Sequence, residues 1–269
     1  MSAFKPPPGA QLNLDHPLAR GLAGAWLLNE GSGKNAHDYS GQWNEGTLTN
    51  ISDPPTSTSG WGSGPHGGAL IFDASDDYVD VPDTANRFAF PNTTFTVAAW
   101  TKAATGGVFA AKDGGGLGVG WQINNSAGQF NAASKGATGA VAAARTSSAN
   151  ISDGGHHHAV AVFKTNTTVQ AGNDVTLYVD GKPDQGGLTN TTTYVAPTLP
   201  VTFGKRSSGT FMGGGITSVL IYDRALPADE VAWLYAFPYA MFEEPAHPAW
   251  MRGPGAPIFM HHYMMQRAA

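Results

Sequence analysis

The chain has 269 residues, 41% of them hydrophobic and 13% charged, with a formal net charge of −5, 35 glycines, 18 prolines and no cysteine. This length suits one large β-sandwich with extensions or two small domains. The composition excludes disulfides, thiolate metal sites and a basic surface for nucleic acid. No apolar run reaches the ~18 residues of a membrane span. No apolar stretch follows Lys5 either, so we expect neither membrane insertion nor a signal peptide.

Three regions follow one another along the chain. Residues 1–19 include Pro6, Pro7 and Pro8, a run that favours an extended arm. Residues 20–237 alternate short apolar runs with turn clusters, and residues 238–269 form a tail rich in Pro, Met and aromatic residues. We therefore predict an arm, one domain over 20–237, and a separate tail.

The middle region predicts strands and one helix. The strands, in chain order, are expected at 22–28, 69–73, 78–81, 95–101, 108–111, 118–123, 129–132, 157–164, 174–180, 200–204 and 215–222. The Ala/Gly-rich tract 134–148 is expected to be a loop or a weak edge strand. A helix is predicted over 227–236, with Asp229 and Glu230 in its first turn. This pattern predicts an all-β, antiparallel β-sandwich with one short C-terminal helix and extended terminal segments.

A series of short segments, in order, resembles the laminin-G-like, concanavalin A-like jelly rolls. These segments are Gly-Ala-Trp at 24–26, Asn-Glu-Gly-Ser-Gly at 29–33, Asp-Tyr-Ser-Gly at 38–41, Gly-Thr-Leu at 46–48, the runs 69–73, 76–79, 95–100 and 157–160, Leu-Tyr-Val-Asp-Gly-Lys at 177–182, Phe-Gly-Lys-Arg at 203–206, and the runs 214–216 and 221–226. The resemblance implies a jelly roll. It implies little about activity, because that fold hosts lectins, enzyme appendages and structural parts alike.

A narrower resemblance concerns the two ends of the domain. Residues 17–22 and 238–243 are similar to the corresponding parts of domains encoded by tailed bacteriophages. This similarity implies a virion protein whose partners are other virion proteins or copies of itself.

The carboxylates do not form a hydrolase motif. The five glutamates are Glu30, Glu45, Glu230, Glu243 and Glu244. None belongs to the Glu-x-Asp-x-x-Glu pattern that the glucanases of this fold carry on one strand, and glycoside hydrolysis needs two carboxyl groups flanking one bond. We therefore expect a non-enzymatic protein and keep a glycoside hydrolase as the least favoured alternative.

Calcium is the metal that the family resemblance implies. The positions that match or adjoin the family's calcium ligands are Glu30, Asp38, Asp73, Asp76 and Asp77. Where the family usually has two carboxylates before its last strand, this chain has threonine and serine at 217 and 218. The alternative is that these aspartates only cap turns.

Zinc is a weaker metal hypothesis. On a strand, His156 and His158 would share a face, and two imidazole nitrogens could chelate a zinc ion. No third ligand is identifiable in the sequence. We therefore favour an ordinary strand start over a zinc site.

The tail carries a heavy apolar load. Its large apolar residues are Phe242, Trp250, Ile258, Phe259, Met260, Tyr263, Met264 and Met265. Exposed apolar patches usually mark interfaces. We expect the arm and tail to dock on neighbouring subunits of an assembly, with folding of the tail onto its own sandwich as the alternative.

Two functions remain open. We favour a structural or capsid-decoration protein of a phage particle, with the jelly roll outward and the termini as anchors. The alternative is a lectin or adhesin, calcium-dependent or not, that binds a cell-surface glycan. For that alternative, Trp43, Trp61 and Trp121 are the candidate sugar-contacting residues.

Overall fold

A computed structural model of the protein describes residues 4–104, 106–114, 118–206 and 209–243. It confirms the predicted fold class, an antiparallel β-sandwich of the concanavalin A-like kind with 46% strand and 8% helix. Within these ranges, no helix combines the length and apolarity needed to cross a bilayer.

Most strands belong to two large sheets. The described strands, in chain order, are β1 (Gln11–Leu12), β2 (Leu22–Trp26), β3 (Asn35–Ala36), β4 (Gly46–Thr49), β5 (Gly60–Gly64), β6 (Gly67–Asp73), β7 (Tyr78–Val81), β8 (Thr94–Ala103), β9 (Gly107–Asp113), β10 (Gly120–Ser126), β11 (Gln129–Lys135), β12 (Val141–Asn150), β13 (His157–Lys164), β14 (Asp174–Val179), β15 (Lys182–Pro183), β16 (Val201–Phe203), β17 (Lys205–Arg206), β18 (Thr210–Phe211), β19 (Gly213–Tyr222) and β20 (Phe242–Glu243). The α-helix α1 spans Ala228–Ala236, and 3-10 turns span Pro17–Ala19, Ala137–Gly139 and Gln170–Gly172.

The two sheets stack face to face. The front sheet has the strand order β12-β11-β10-β9-β16-β7-β4-β3. The back sheet has the order β15-β14-β13-β8-β19-β6-β5, and β2 also pairs with β19. Every pairing is antiparallel, as in a jelly roll. The tract expected to be a loop or weak edge strand supplies β12 at the edge of the front sheet.

Alternation along the strands builds the core between the sheets. On β8, Phe95, Val97 and Ala99 point into this core, and Phe95 stacks on Phe163 of β13 with ring centroids 4.7 Å apart. Successive side chains on a strand point to opposite faces. Ala98 therefore faces the other side of the back sheet, where it is buried in a second apolar cluster.

That second cluster covers the outer face of the back sheet, and the terminal segments build much of it. Its members from the arm, α1 and the tail are Ala10, Leu18, Ala19, Val231, Leu234, Tyr239, Met241 and Phe242. The pairing of β1 with β20 joins the two terminal segments directly. The predicted divisions after residues 19 and 237 therefore do not separate packing units, because both segments bury apolar surface on the sandwich.

A lysine fixes the start of the arm. The ammonium group of Lys5 donates hydrogen bonds to the carbonyl oxygens of Leu28 (3.2 Å), Thr217 (2.6 Å) and Gly68. These carbonyls belong to three segments that lie far apart in sequence. The Lys5 ammonium therefore ties the arm to the body of the sandwich at one point.

Candidate functional site

Trp43 is the most exposed large aromatic side chain among the described residues, with 83% of its surface accessible. It lies in the turn between β3 and β4, and its φ of 60° places it in the left-handed region. Non-glycine residues rarely adopt that conformation, and they do so where the surrounding structure imposes it. The turn therefore holds a large apolar side chain in water.

The carboxylate of Asp38 organises this turn. Its Oδ1 accepts hydrogen bonds from the backbone N–H groups of Ala25 and Ser40, both at 2.9 Å. Its Oδ2 accepts from the Ser40 hydroxyl at 2.8 Å, and from the backbone N–H and side-chain amide of Asn44 at 3.0 and 2.8 Å. The backbone on both sides of Trp43 is thereby attached to β2, so the conformation of this turn is set before a ligand binds.

A groove runs between this turn and the N-terminal segment. It has a volume of about 640 Å³ and is lined by Trp43, Tyr39 and His37 on one side and by residues 8–12 with Leu14 on the other. A second depression of about 440 Å³ continues it, sharing Leu12, Leu14 and Ser40. Leu14, which is 76% exposed, adds apolar surface opposite the turn.

Polar groups accompany this apolar surface. The Arg87 guanidinium donates a 2.7 Å hydrogen bond to the side-chain oxygen of Gln42, and both residues line the second depression with Asp223. The His37 ring lies 2.9 Å from the carboxylate of Glu45. An aromatic platform beside a few fixed donors and acceptors is the usual composition of a small-molecule site.

The other two candidate tryptophans are structural, so the glycan-binding prediction was wrong for both. Trp61 is 7% exposed on β5, and its indole N–H donates to the carbonyl of Gly33 at 3.1 Å. Trp121 is fully buried on β10 and donates to the carbonyl of Phe88 at 2.8 Å. Strand alternation turns both rings into the core, where the N–H of a buried indole finds a backbone acceptor.

The structure divides the predicted calcium ligands into separate places. Asp38 uses both oxygens on its own turn, as described above. Glu30 accepts a 2.9 Å hydrogen bond from the backbone of His37. Burial raises the pKa of Glu30, and the nearby His37 and Lys5 offset part of that effect. Neither residue belongs to the cluster that the other three form, so the structure does not bring all five predicted positions together.

The remaining three aspartates do come together. The ligand oxygens of Asp73, Asp76 and Asp77 lie within 4.8 Å of one another in the turn between β6 and β7. Asp73 caps this turn by accepting from the backbone of Ser75 at 2.8 Å. Asp77 is 1% exposed, and its Oδ1 accepts no hydrogen bond from the described residues. Burial raises the pKa of Asp77, as expected for a carboxylate that has lost water without gaining a full set of partners.

The structure places the first two histidines of the run at the surface of the sandwich and the third in its interior. His158 is buried against Trp100, with ring centroids 5.1 Å apart, and burial lowers its pKa to about 3. His157, between them, lies within 2.9 Å of Asp180 and 3.0 Å of Asp153, so both its ring nitrogens are engaged. Burial alone would lower the pKa of His157, but the two carboxylates outweigh it and raise that pKa.

The tail residues have different outcomes. Phe242 is 8% exposed and packs edge-on against Tyr39, with ring centroids 6.3 Å apart, so this residue is buried within the chain itself. It therefore follows the fold-back alternative rather than the predicted intermolecular surface. The others, namely Trp250, Ile258, Phe259, Met260, Tyr263, Met264 and Met265, lie outside the described residues.

Comparison with known proteins defines the class. A family model described as the concanavalin A-like lectin/glucanases superfamily, Laminin_G_3, matches residues 73–232, more than half of the chain. The chain belongs to this superfamily, as the resemblance implied. No curated protein sequence matches it.

Solved structures share the fold at low sequence identity. The binding domain of paraclostridial mosquitocidal protein 1 is 17% identical, with a TM-score of 0.59 over 83% of this chain and 53% of that one. The binding domain of botulinum neurotoxin DC in complex with SialylT is 14% identical, with a TM-score of 0.53 over 81% of this chain and 52% of that one. Trypanosoma rangeli sialidase is 17% identical, with a TM-score of 0.54 over 82% of this chain and 33% of that one.

The solved proteins are longer than the part that this chain matches. It matches about half the length of the two toxin binding domains and a third of the sialidase. At these identities the likeness concerns the fold.

Sequence reasoning missed the opposite wall of the Trp43 groove and the second depression that continues it. Leu14 lies in the arm and Arg87 in the loop after β7. Neither belongs to a motif, so no local signal connects them with Trp43. The one available signal was a tryptophan between Gly41 and Asn44, residues typical of a tight turn.

Proposed function

We propose that the protein is a non-enzymatic glycan-binding module whose binding surface is the groove beside Trp43. The exposed indole on a preorganised turn is the observation that carries this proposal. An indole face presents a flat apolar surface to the C–H groups of a sugar ring, while adjacent side chains bond the hydroxyl groups. The toxin binding domain solved with SialylT has the same fold, which adds support at the level of the fold.

The energetic argument rests on preorganisation. A tryptophan side chain in water gains free energy when a ligand covers it, since apolar area is removed from water. The Asp38 hydrogen bonds already hold the turn, so binding costs little additional conformational entropy. Gln42 and Arg87 are likewise fixed to each other before a ligand arrives.

Glycan-array screening followed by calorimetry tests this proposal. The Trp43→Ala variant should lose at least about fivefold in affinity for any glycan the native protein binds, because stacking on one aromatic ring is worth about 1 kcal/mol or more. Phe237→Ala is the matched control, since Phe237 is an exposed aromatic outside the groove. Equal affinity of native protein and Trp43→Ala for the same glycan would contradict the proposal.

We further propose that the turn with Asp73, Asp76 and Asp77 takes a calcium ion. Three clustered carboxylates with one buried, unpartnered oxygen match the oxygen-rich coordination that calcium prefers. Calcium should raise the unfolding temperature of the native protein, and the rise should disappear in Asp77→Asn. Magnesium at the same concentration serves as the ion control, and identical shifts with and without Asp77 would exclude this site.

Finally, we propose that the module is carried on a phage particle, which is what the phage-like segments 17–22 and 238–243 imply. The pairing of β1 with β20 adds a structural reason, because it brings both terminal segments to one side of the domain. In this role the Trp43 groove would seat a neighbouring virion subunit instead of a glycan. Binding of the native protein to purified particles, lost in Trp43→Ala while no glycan binds, would favour this alternative.

A further inference from the structure

A separate pocket, here called the Lys102 pocket, lies on the outer face of the back sheet and shares no lining residue with the Trp43 groove. Its volume is about 410 Å³. Three residues paired side by side form part of it: Ile71 on β6, Gly215 on β19 and Lys102 on β8. Leu70 and Phe72 on either side of Ile71 point into the core, so Ile71 points outward.

The floor of this pocket is apolar, and it is open because Gly215 has no side chain. Ala69 and Ile71 supply apolar surface there. A Cβ atom at Gly215 would lie 3.2 Å from Cδ1 of Ile71 and meet no other atom closer than 3.9 Å. The glycine therefore leaves open the space above the sheet that a larger residue would fill.

Lys102 gives the wall of the pocket a positive charge. It is exposed, and none of the ion pairs found in the described part of the chain includes it. The basic residues elsewhere contrast with it: Lys112 and Lys135 are each paired with a carboxylate within 2.8 Å. The Lys102 ammonium is therefore available to an external anion.

His156 adds an unused hydrogen-bonding atom beside this charge. Its Nδ1 is buried and has no hydrogen-bond partner among the residues described. Burial lowers the pKa of His156, and Lys102, His66 and His157 lower it further. Asp153, the nearest acidic residue along the chain, is held 3.0 Å from His157 and does not line the pocket.

The rim carries hydroxyl groups. Ser57, Ser63 and Ser152 line the pocket from three separate segments. A ligand that satisfies this surface has an anionic group for Lys102 beside His156, hydroxyl groups for the rim, and an apolar part for Ala69 and Ile71. Buried polar atoms without partners are uncommon in folded proteins, and a ligand is one explanation for them.

We propose that this pocket binds an acidic monosaccharide, with the carboxylate between Lys102 and His156 and an apolar substituent on Ile71. A second, independent sugar site would allow the module to bind a branched or extended glycan at two points, which multiplies the effective affinity.

The probe for this proposal is the α-methyl glycoside of N-acetylneuraminic acid, and its uncharged methyl ester is the matched control ligand. Titration of the native, full-length protein should show binding of the acid at least about tenfold tighter than binding of the ester, as expected for a charge-assisted contact. Equal affinity for acid and ester, or binding of neither, would overturn the proposal.

Variants locate the site. Lys102→Gln should weaken binding of the acid by about tenfold and leave the ester unaffected, whereas Lys164→Gln, an exposed lysine elsewhere on the back sheet, should change neither. His156→Gln should also weaken binding of the acid. Both pocket variants should keep the native unfolding temperature, because Lys102 is exposed and His156 makes no hydrogen bond through Nδ1 within the described residues.

The Trp43→Ala variant separates this proposal from the previous one. It should bind the acidic monosaccharide as the native protein does. If Trp43→Ala abolishes that binding while Lys102→Gln does not, the acid binds in the Trp43 groove and the second site is refuted. If the Trp43 groove proves inactive, acid binding that depends on Lys102 would still stand.

Discussion

The side-chain amide of Asn13 donates a 2.6 Å hydrogen bond to the carboxylate of Glu243, although 230 residues separate them in sequence. The neighbouring residues Leu12 and Phe242 are paired across β1 and β20. The arm and the start of the tail therefore form one small sheet. This sheet closes the outer side of the domain and supports the N-terminal wall of the Trp43 groove.

Removal of the Phe242 ring should destabilise the whole domain. Phe242 is 8% exposed, and truncation of a buried phenylalanine typically costs about 3–5 kcal/mol. We expect Phe242→Ala to lower the free energy of unfolding by an amount in this range, measured by urea denaturation. Phe237→Ala, at a position 37% exposed, should cost much less. If the two variants are equally stable, the tail residue does not contribute to the fold as the structure shows.

Replacement of Lys5 should release the arm. In Lys5→Met, three backbone carbonyls lose their donor, and each unsatisfied group costs about 1–3 kcal/mol when it stays buried. Because three carbonyls are affected, we expect the free energy of unfolding to fall by at least about 3 kcal/mol, with faster proteolysis before residue 20. Lys164→Met, on the exposed end of β13, should stay within about 0.5 kcal/mol of the native protein. An unchanged proteolytic pattern in Lys5→Met would show that the Lys5 hydrogen bonds do not hold the arm on the sandwich.

Loss of the Asp38 carboxylate should disorder the turn that presents Trp43. Asp38→Ala leaves the backbone N–H groups of Ser40 and Asn44 without their acceptor, at an expected cost of about 3–5 kcal/mol. Amide hydrogen exchange at these two positions should accelerate more than exchange in β8. Ser40→Ala, which removes only the hydroxyl contact, is the milder variant and should show a smaller change in the same direction.

His157 and His158 should make opposite contributions to the pH dependence of stability. The pKa of His157 is raised in the folded state, so its contribution is complete below the unfolded pKa of about 6.5 and is lost as pH rises through the folded value. His158 behaves oppositely. Burial lowers its pKa to about 3, so its contribution is present above about pH 6.5 and declines as pH falls toward 3.

Thermal unfolding between pH 5 and 9 measures the effect. The lowered pKa of Lys5, about 7, acts in the opposite direction at alkaline pH, so the His157 contribution is measured as the difference in stability between native protein and His157→Asn. This difference should be largest below pH 6.5 and should shrink as pH rises above it. A difference that stays constant from pH 6.5 to 9 would show that the contacts of His157 with Asp153 and Asp180 do not persist in solution.

The strands with strong apolar alternation were predictable from sequence. Segments 95–101, 157–164 and 215–222 became β8, β13 and the larger part of β19. The helix was expected over 227–236 and spans Ala228–Ala236. In contrast, β5 has the sequence Gly-Trp-Gly-Ser-Gly, which resembles a turn. It is a strand because β6 supplies its hydrogen-bond partners, and this is why Trp61 is buried rather than exposed.

The sequence by itself determined the fold class, because side-chain alternation along a strand is a local property that fixes which face is buried. It also supplied a set of chemically suitable residues, the tryptophans and the acids. Which of them meet was decided by the tertiary structure. The Trp43 groove and the Lys102 pocket combine segments distant in sequence, whereas the three aspartates belong to one local turn. Packing between the sheets also decides that Trp121 is buried while Trp43 is exposed. Such contacts leave no periodic signal in a single sequence.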